Sequence, residues 1–355
     1  MNLNNFKIAY APYSENFKFC GDRRRFCFFA KETNLNYTKY QSKLNYDIVV
    51  LSPLTDLSEI KKIKKKGTKV ILQLVDSYLI KTNFIKDILR NTGRKFINKN
   101  FLNMLYPNRY TSELKRAFKM VDAVICTTED QKRKIQKYNN NVHIILDSLD
   151  DDAIIIKPSR YNNSNNLDIL WEGLAPNLIN FEEIASELNK AGDAININLH
   201  ILTDLVSYKY FAKYYKLHSI DLINKYKLKV NTFLYQWNQT ALASLSSICD
   251  LAIIPLLQNN KFVLGKPENK LILLWKLGLP VLTSYSDAYA LTMKKAGLNM
   301  VCRDKEDWSK SLLEFYRFDN IRRMDISKKA RDYANQNYTK KKLIEQWNNV
   351  FKSVF

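Results

Sequence analysis

A short segment in the second half of the chain, KPENK at residues 266–270, places two lysines, a glutamate and an asparagine directly before an apolar helical pattern. The pattern ends at Gly278, after which an apolar run predicts a buried strand. A helix N-terminus attracts anions, because its first backbone N–H groups are free and the positive end of the helix dipole lies there. The segment therefore predicts a site for an anionic ligand such as a phosphate, and a solvated first turn is the alternative. The candidate contacts are Lys266, Glu268, Asn269 and Lys270.

Further candidates directly follow predicted strands of the second half, because ligands of open α/β sheets bind beyond the carboxyl ends of the strands. A glycine there allows the backbone to approach a ligand closely, and aromatic side chains can stack on a base. Together with the basic helix entrance, these residue types suit a nucleotide diphosphate. The candidates are Glu172, Gly173, Tyr235, Gln236, Trp237 and Ser284. Core packing of the aromatic residues and a simple strand end at Glu172 are the alternatives.

Charged residues also follow the predicted strands of the first half. The segment CGDRRRF at residues 20–26 concentrates Asp22 with Arg23, Arg24 and Arg25, and arginines there would grip a carboxylate or phosphate in bidentate fashion. Of the three, Arg23 and Arg24 are the candidates for binding an acceptor. Asp76 stands at the carboxyl end of another strand, where a carboxylate would act as a general base or orient an acceptor hydroxyl. Capping of the following helix is the alternative for both aspartates.

A third strand end of the first half carries Thr128 and Glu129, which we expect to face the same ligand as acceptor-binding residues. A helix N-cap at Thr128, with Glu129 favoured near the helix dipole, is the alternative.

The elements that must position these residues follow from the alternation of short apolar runs with charged helical stretches, which is the pattern of an α/β sheet. Most runs are continuous, as expected of parallel strands covered on both faces. Strands are predicted near residues 6–12, 46–52, 69–75, 122–128 and 142–148, and again near 167–173, 195–204, 230–237, 250–256, 279–284 and 298–302. The predicted organisation is a first domain at 1–152, a polar linker at 153–166, a second domain at 167–335 and a C-terminal helix at 336–355.

Several motifs of the second half resemble the donor domain of GT-B glycosyltransferases, in particular the group 1 family of retaining enzymes. The motifs are Trp-Glu-Gly at 171–173, TFLYQW, DLAIIPL and KPENKLILLWKLGLPVLTS. The resemblance implies two Rossmann-like domains in series, an acceptor domain followed by a nucleotide-sugar domain, with the C-terminal helix packing back toward the first. A lysine eight residues before the glycine of Gly-x-Pro commonly contacts the donor phosphates in this family, and Lys270 occupies that position.

The sequence departs from this family at one pair of positions. The paired glutamates of the group 1 family, eight positions apart, fall on Gly265 and Leu273, and neither residue is acidic. Glu268 lies near but at a different spacing, so the resemblance does not assign it the usual contact with the sugar hydroxyls.

The chemistry implied is sugar transfer to a glycan or lipid-linked acceptor, with Lys270 stabilising the leaving nucleoside diphosphate and Asp76 and Asp22 as further catalytic candidates. No metal or other cofactor is expected, because fixed cationic side chains would stabilise the leaving nucleoside diphosphate. The Asp-x-Asp within residues 150–152 opens the predicted linker, and the three histidines have no ligand spacing to one another.

The formal net charge of +21 indicates an anionic partner. Residues 86–119 carry nine Lys and Arg interleaved with apolar residues, which suits contact with an anionic membrane or a lipid-linked acceptor, with an ordinary amphipathic helix pair as the alternative. The start of the sequence lacks a signal-peptide pattern, and the odd number of cysteines without a C-x-x-C pair indicates reduced thiols. We therefore expect a cytoplasmic protein. The resemblance to GT-B enzymes, together with the basic surface, implies that it acts at the inner face of the membrane in cell-surface polysaccharide or lipopolysaccharide synthesis.

Two other functions fit parts of the sequence. A sugar-nucleotide epimerase would keep the fold, but such enzymes usually place a histidine among their acid and base groups, and this chain has only three. A nucleic-acid-binding protein would use the net positive charge, but the sequence contains no recognisable binding module, so no nucleic-acid partner is expected.

Overall fold

The computed structural model describes residues 2–17, 19–79, 87–88, 109–149, 165–209 and 215–355. The chain divides into two compact units. The first comprises Met1–Leu149, Gly265–Pro267 and Thr339–Phe355, and the second comprises Asp150–Leu264 and Glu268–Tyr338. The predicted linker at 153–166 lies almost entirely outside the described residues.

The first unit is built on a parallel sheet, as its continuous apolar runs predict. The described strands are β1 (Ile8–Ala11), β2 (Thr38–Lys39), β3 (Ile48–Leu51), β4 (Lys69–Gln73), β5 (Ala123–Cys126) and β6 (Val142–Ile144), arranged in the order β2-β1-β3-β4-β5-β6. All residues of β1, β3 and β5 are buried, which is why these segments lack polar alternation. Chain order reverses between β1 and β3, and such a reversal is the usual position of a ligand site in an open sheet.

The helices of the first unit cover both faces of this sheet. They are Cys20–Arg23, Phe26–Glu32, Glu59–Lys65, Tyr110–Met120, Glu129–Ile135 and Lys340–Lys352. The C-terminal helix packs on Phe26–Glu32, where the rings of Trp347 and Phe29 stack with centroids 5.6 Å apart. The prediction that the C-terminal helix returns to the first domain is therefore confirmed.

The second unit repeats the architecture. Its parallel sheet consists of β7 (Asn166–Glu172), β8 (Asn196–Thr203), β11 (Asn231–Gln236), β12 (Leu251–Ile254), β13 (Val281–Ser284) and β14 (Val301–Cys302), in the order β11-β8-β7-β12-β13-β14. The reversal in chain order falls between β7 and β12, which makes the end of β7 the expected ligand position. Strands β9 (Val206–Lys209) and β10 (Tyr215–His218) form a separate antiparallel pair. The prediction of two α/β domains with Rossmann-like sheets is confirmed.

The helices of the second unit are Ala185–Gly192, Ser219–Asn224, Gln239–Ile248, Lys261–Leu264, Asn269–Lys276, Asp287–Lys295, Glu306–Arg317 and Asn320–Asn337. The segment Ala175–Glu183 after β7 is a 3-10 helix, and the α-helix Ala185–Gly192 follows it. Pro176 at its beginning suits a helix start, because its missing N–H would have no helical partner there.

The helix Asn269–Lys276 is fixed in the second unit by its apolar face. Leu271, Leu274 and Trp275 are each 0% exposed, so the helix entrance is held by core packing. Gly278 ends the helix with a φ of 84°, a left-handed conformation that glycine adopts without strain. Its N–H donates to the carbonyl oxygen of Trp275 over 2.9 Å, which completes the helix end.

Candidate functional site

The ammonium group of Lys270 lies against the carboxyl end of β7, at the reversal in strand order. Its Nζ atom donates to the backbone oxygen of Glu172 and lies 3.8 Å from Oε2 of the same residue. The same Nζ atom lies 5.3 Å from the centre of the Trp171 ring. The Lys270 side chain is 24% exposed, so the cation is positioned by protein contacts while part of the side chain stays accessible.

Gly173 is required for this arrangement, because a side chain at that position would collide with its neighbours. A Cβ atom there would lie 2.8 Å from Nζ of Lys270 and 3.1 Å from the Trp171 ring. Trp237 completes the cluster, since its Nε1 donates to Oε1 of Glu172 over 3.1 Å. Four of the predicted donor-site residues, Glu172, Gly173, Trp237 and Lys270, therefore lie together in the second unit.

The arrangement can bind an anion by two means. Lys270 supplies a cation in the first turn of the helix Asn269–Lys276, and the helix entrance supplies backbone N–H groups and the positive end of its dipole. Glu172 holds the cation on one side and the Trp237 indole on the other, which fixes both side chains before a ligand arrives.

Glu268, also predicted at this site, is the residue that precedes the helix. Its Oε1 accepts from the hydroxyls of Tyr338, over 3.2 Å, and Thr292, over 3.3 Å. Burial is the largest cause that raises the pKa of Glu268, and these hydrogen bonds act in the opposite direction. Its carboxyl group thus ties the helix entrance to two other helices.

The other donor-site candidates occupy different surroundings. Asn269 is the first residue of the helix, whereas Lys266 belongs to the short segment that groups with the first unit. Ser284 is buried, and its Oγ accepts from the Leu256 N–H over 3.0 Å. Gln236 accepts from the Leu205 N–H over 3.1 Å. These four residues stay predictions as donor contacts.

Tyr235 belongs to a separate cluster on the same sheet. Its hydroxyl lies 3.1 Å from Nδ1 of His200, whose Nε2 lies 3.1 Å from Oδ1 of Asp168. The rings of His200 and Phe233 stack with centroids 5.2 Å apart. The hydroxyl of Tyr235 is thus occupied by the protein itself, and stacking of this ring on a base stays a prediction.

In the first unit, Asp22 is 0% exposed and its carboxylate is used by the fold. One oxygen accepts from the Tyr10 hydroxyl and the Tyr13 N–H, each over 2.7 Å. The other accepts from the N–H and the hydroxyl of Ser14, over 3.0 and 2.9 Å. Four hydrogen bonds to one buried carboxylate are typical of a residue that positions a loop, and here the loop follows β1. A catalytic role for Asp22 stays a prediction.

The other acceptor-side candidates lie at the carboxyl ends of their strands. Asp76 follows β4 and is half-buried. Thr128 caps the helix Glu129–Ile135, because its hydroxyl accepts from the Gln131 N–H over 3.2 Å, and Glu129 is exposed in the first turn. Arg23 is exposed and Arg24 is half-buried.

Arg25, which the sequence groups with Arg23 and Arg24, is the arginine of this segment that is 0% exposed. Its Nη1 lies 2.9 Å from Oδ1 of Asp147, and its Nε donates to Oε1 of Gln73 over 3.4 Å. The residue lies between the helices Cys20–Arg23 and Phe26–Glu32. The sequence does not indicate a break between two helices here, so it gives no signal for which arginine turns inward.

Within the described residues, no group of three or more His, Cys, Asp or Glu side chains has the arrangement of a metal site. In that same part of the chain, no helix combines the length and hydropathy needed to span a membrane. The Asp-x-Asp at 150–152 and most of the basic segment at 86–119 lie outside the described residues. The membrane contact predicted for residues 86–119 stays a prediction.

The architecture is that of GT-B glycosyltransferases of known structure. HepE from Anabaena, determined in complex with UDP, has a TM-score of 0.64 at 10% identity, with 98% of this chain and 100% of that chain covered. WaaG, a glycosyltransferase involved in lipopolysaccharide biosynthesis, has a TM-score of 0.61 at 15% identity, with 97% and 99% covered. TarM has a TM-score of 0.58 at 13% identity over 86% of this chain, which spans only 54% of TarM.

These similarities establish the predicted GT-B fold. No protein-family model matches the sequence, and a comparison with curated proteins also gives no match.

Proposed function

We propose that the protein transfers a sugar from a nucleotide-sugar donor to a glycan or lipid-linked acceptor. The observation that carries the proposal is the cluster of Lys270, Glu172 and Gly173 at the end of β7, where strand order reverses. HepE has this fold, and its structures contain UDP in one case and UDP-glucose in another. These complexes support a nucleotide-sugar ligand for the present protein.

Lys270 is the group we assign to the donor diphosphate. Negative charge develops on the leaving nucleoside diphosphate as the bond to the sugar breaks, and a fixed cation beside it lowers the barrier. Because the Glu172 contacts already hold the ammonium in place, little reorganisation is needed during the reaction. The N–H groups of the helix entrance add a second, uncharged contribution.

Of the two predicted catalytic carboxylates, Asp76 is the better candidate for the acceptor side. A general base must be accessible to the hydroxyl it deprotonates. Asp22 is 0% exposed and its oxygens accept four hydrogen bonds, whereas Asp76 is only half-buried at the end of β4. We assign Asp76 the role of receiving the acceptor proton.

We place the reaction in cell-surface glycan synthesis at the cytoplasmic side of a membrane. The net charge of +21 favours an anionic surface, and WaaG offers a precedent in lipopolysaccharide biosynthesis for a protein of this fold. Sedimentation with vesicles tests this placement, since binding to anionic but not to zwitterionic vesicles is expected.

The activity is tested by incubating the protein with UDP, GDP, ADP and dTDP sugars and measuring release of the nucleoside diphosphate. Release from one donor class is expected, with slow transfer to water when no acceptor is present. Lys270→Ala is expected to abolish it, and the exposed-lysine variant Lys294→Ala to retain it. Release that is unchanged in Lys270→Ala would contradict the assignment.

A further inference from the structure

Several buried polar atoms at the carboxyl edge of the first sheet lack a hydrogen-bond partner in the described parts of the chain. They are Tyr13 Oη, Arg25 Nη2, Ser52 Oγ, Ser77 Oγ and Ser148 Oγ. Buried polar groups are nearly always hydrogen-bonded, because a missing bond costs the desolvation of the group without compensation. A cluster of such atoms at one edge of a sheet is therefore a place where the oxygens of a ligand can complete the bonds.

The topology of the first sheet brings these groups together. Tyr13 follows β1 and Ser52 follows β3, and these are the two neighbouring strands between which chain order reverses. The Ser52 N–H donates to the Ala11 oxygen over 3.0 Å, which keeps the two strand ends side by side. Ser77 follows β4, the next strand in the sheet. In the part of the chain that the structure describes, Tyr13, Ser52 and Ser77 thus place three unbonded hydroxyls at the edge formed by β1, β3 and β4.

The Tyr13 hydroxyl also lies within the electrostatic range of Arg25. Burial, followed by the neighbouring Tyr78, raises the pKa of Tyr13 well above its ordinary value, and the Arg25 guanidinium acts in the opposite direction. The phenol therefore stays protonated and can donate a hydrogen bond. Asp22 fixes the backbone of this loop through the Tyr13 N–H, so the hydroxyl is held in place.

The charges around Arg25 decide which ligand fits. Its Nη1 is paired with Asp147 at 2.9 Å and its Nε with Gln73 at 3.4 Å, so Nη2 is the guanidinium nitrogen that has no partner among the described residues. One nitrogen cannot form the two parallel bonds with which arginine grips a carboxylate or phosphate. Asp147 already neutralises the guanidinium, and the buried Asp22 carboxylate holds the adjacent loop. Two carboxylates thus accompany one guanidinium at this edge, which disfavours a further anion more than an uncharged hydroxyl.

We propose that the carboxyl edge of the first sheet binds an uncharged sugar residue of the acceptor, with its hydroxyls bonded to Arg25, Tyr13, Ser52 and Ser77. The inference rests on the proposed function, since it specifies the acceptor of the same reaction. A polyol provides several oxygens that both donate and accept, which matches one fixed nitrogen donor surrounded by hydroxyls.

Tyr13→Phe and Ser52→Ala distinguish a ligand site from accidental burial. Each removes an atom that has no partner in the described structure, so the free protein is expected to keep or gain thermal stability. Ser246→Ala is the matched control, because Ser246 Oγ in the second unit is likewise buried and unbonded. Each of the three variants removes one buried, unbonded hydroxyl, and Ser246 lies outside the proposed site.

The experiment measures binding of methyl glycosides of glucose, galactose, mannose and N-acetylglucosamine by saturation-transfer NMR, with methyl glucuronide and glucose 6-phosphate as charged probes. We expect one neutral glycoside to bind, and Tyr13→Phe and Ser52→Ala each to weaken it about threefold to tenfold. Ser246→Ala is expected to bind as the wild type does. Thermal stabilisation by UDP, measured in parallel, is expected to be equal in all four proteins.

Tighter binding of the charged probes would overturn the inference, as would equal binding of the glycosides to all variants or no binding of any neutral glycoside. If UDP still raises the thermal stability of the protein in those cases, the donor-site proposal is unaffected. Failure of this inference is therefore distinguishable from failure of the proposed function. If Lys270→Ala is the one variant that UDP no longer stabilises against heat, the change concerns the donor site and does not alter the result of the sugar-binding measurement.

Discussion

The Nζ atom of Lys270 occupies the space that a side chain on residue 173 would fill, because a Cβ atom on Gly173 would lie only 2.8 Å from it. Gly173 and Lys270 are far apart in sequence, but the absence of a side chain on Gly173 allows Lys270 to reach the end of β7. The contact joins the strand after which ligands bind in such sheets to the helix whose entrance favours anions.

Gly173→Ala should therefore weaken nucleotide binding without unfolding the protein. The added methyl group displaces the flexible end of Lys270, and we expect UDP affinity to fall about tenfold, equivalent to one lost charged hydrogen bond. Calorimetric titration with UDP measures this. Gly192→Ala is the contrasting control, because its Cβ would lie 2.6 Å from Val230 Cγ1, so stability should fall while UDP affinity is kept. The reverse pattern would contradict the assignment.

Trp237→Phe tests the second contact of Glu172. The change removes the indole N–H that donates to Oε1 of Glu172, so that this carboxylate is held by Lys270 alone. We expect UDP to bind about threefold to tenfold more weakly, in the range of one neutral hydrogen bond. Phe233→Leu, at an exposed aromatic residue of β11, should leave the affinity unchanged. Equal affinities in the two variants would remove Trp237 from the site.

Glu268 should make stability depend on pH. Its folded-state pKa is raised above the ordinary value of 4.5, so between the two values the folded protein binds more protons than the unfolded chain. Stability is therefore lost as the pH rises from about the ordinary value through the raised folded pKa. Glu268→Gln keeps the acceptor for Tyr338 and Thr292 and should remove this loss.

Urea unfolding at a series of pH values gives the comparison for Glu268. The difference in unfolding free energy between Glu268→Gln and the wild type should grow in favour of the variant across that pH window and then level off. The exposed Glu345 provides the control variant, Glu345→Gln, for which a constant difference is expected. A difference that shrinks with rising pH would mean that the carboxylate is stabilised by its surroundings.

Trp347→Ala tests the attachment of the C-terminal helix to the first unit. Trp347 is 0% exposed and its ring stacks on Phe29, so its truncation should lower the unfolding free energy by about 3–5 kcal/mol. Gln346→Ala, one residue earlier and exposed, should change it by less than about 0.5 kcal/mol. Similar losses in the two variants, read from urea unfolding, would indicate that the helix is not anchored by its apolar face.

Much of the fold could be predicted because its central strands are buried on both faces. Leu251–Ile254, for example, is apolar throughout, and this composition leaves a parallel strand as the natural interpretation. The strand Thr38–Lys39 was not predicted, because a two-residue edge strand contains no apolar run. The strand Val206–Lys209 also lacks an apolar run and was not predicted. Their pairing depends on tertiary neighbours, which local sequence does not specify.

The site was predictable only where a motif combined residue type with a fixed element. Lys270 and Gly173 could be predicted because a helix entrance and a strand end each restrict where a side chain points. The burial of Arg25 rather than Arg23 or Arg24 could not be predicted, because the break between two helices decides which of the three adjacent arginines turns inward. The hydroxyls of Tyr13 and Ser52 also gave no signal, since their lack of partners is a property of the packed structure.

The most direct test of the central claim is calorimetric titration of UDP into the wild-type protein, Lys270→Ala and Lys294→Ala. If Lys270 binds the donor diphosphate, the wild type and Lys294→Ala should bind UDP alike. Lys270→Ala should then bind at least about tenfold more weakly, as expected for loss of a charged contact. Equal binding by Lys270→Ala and the wild type would contradict the account.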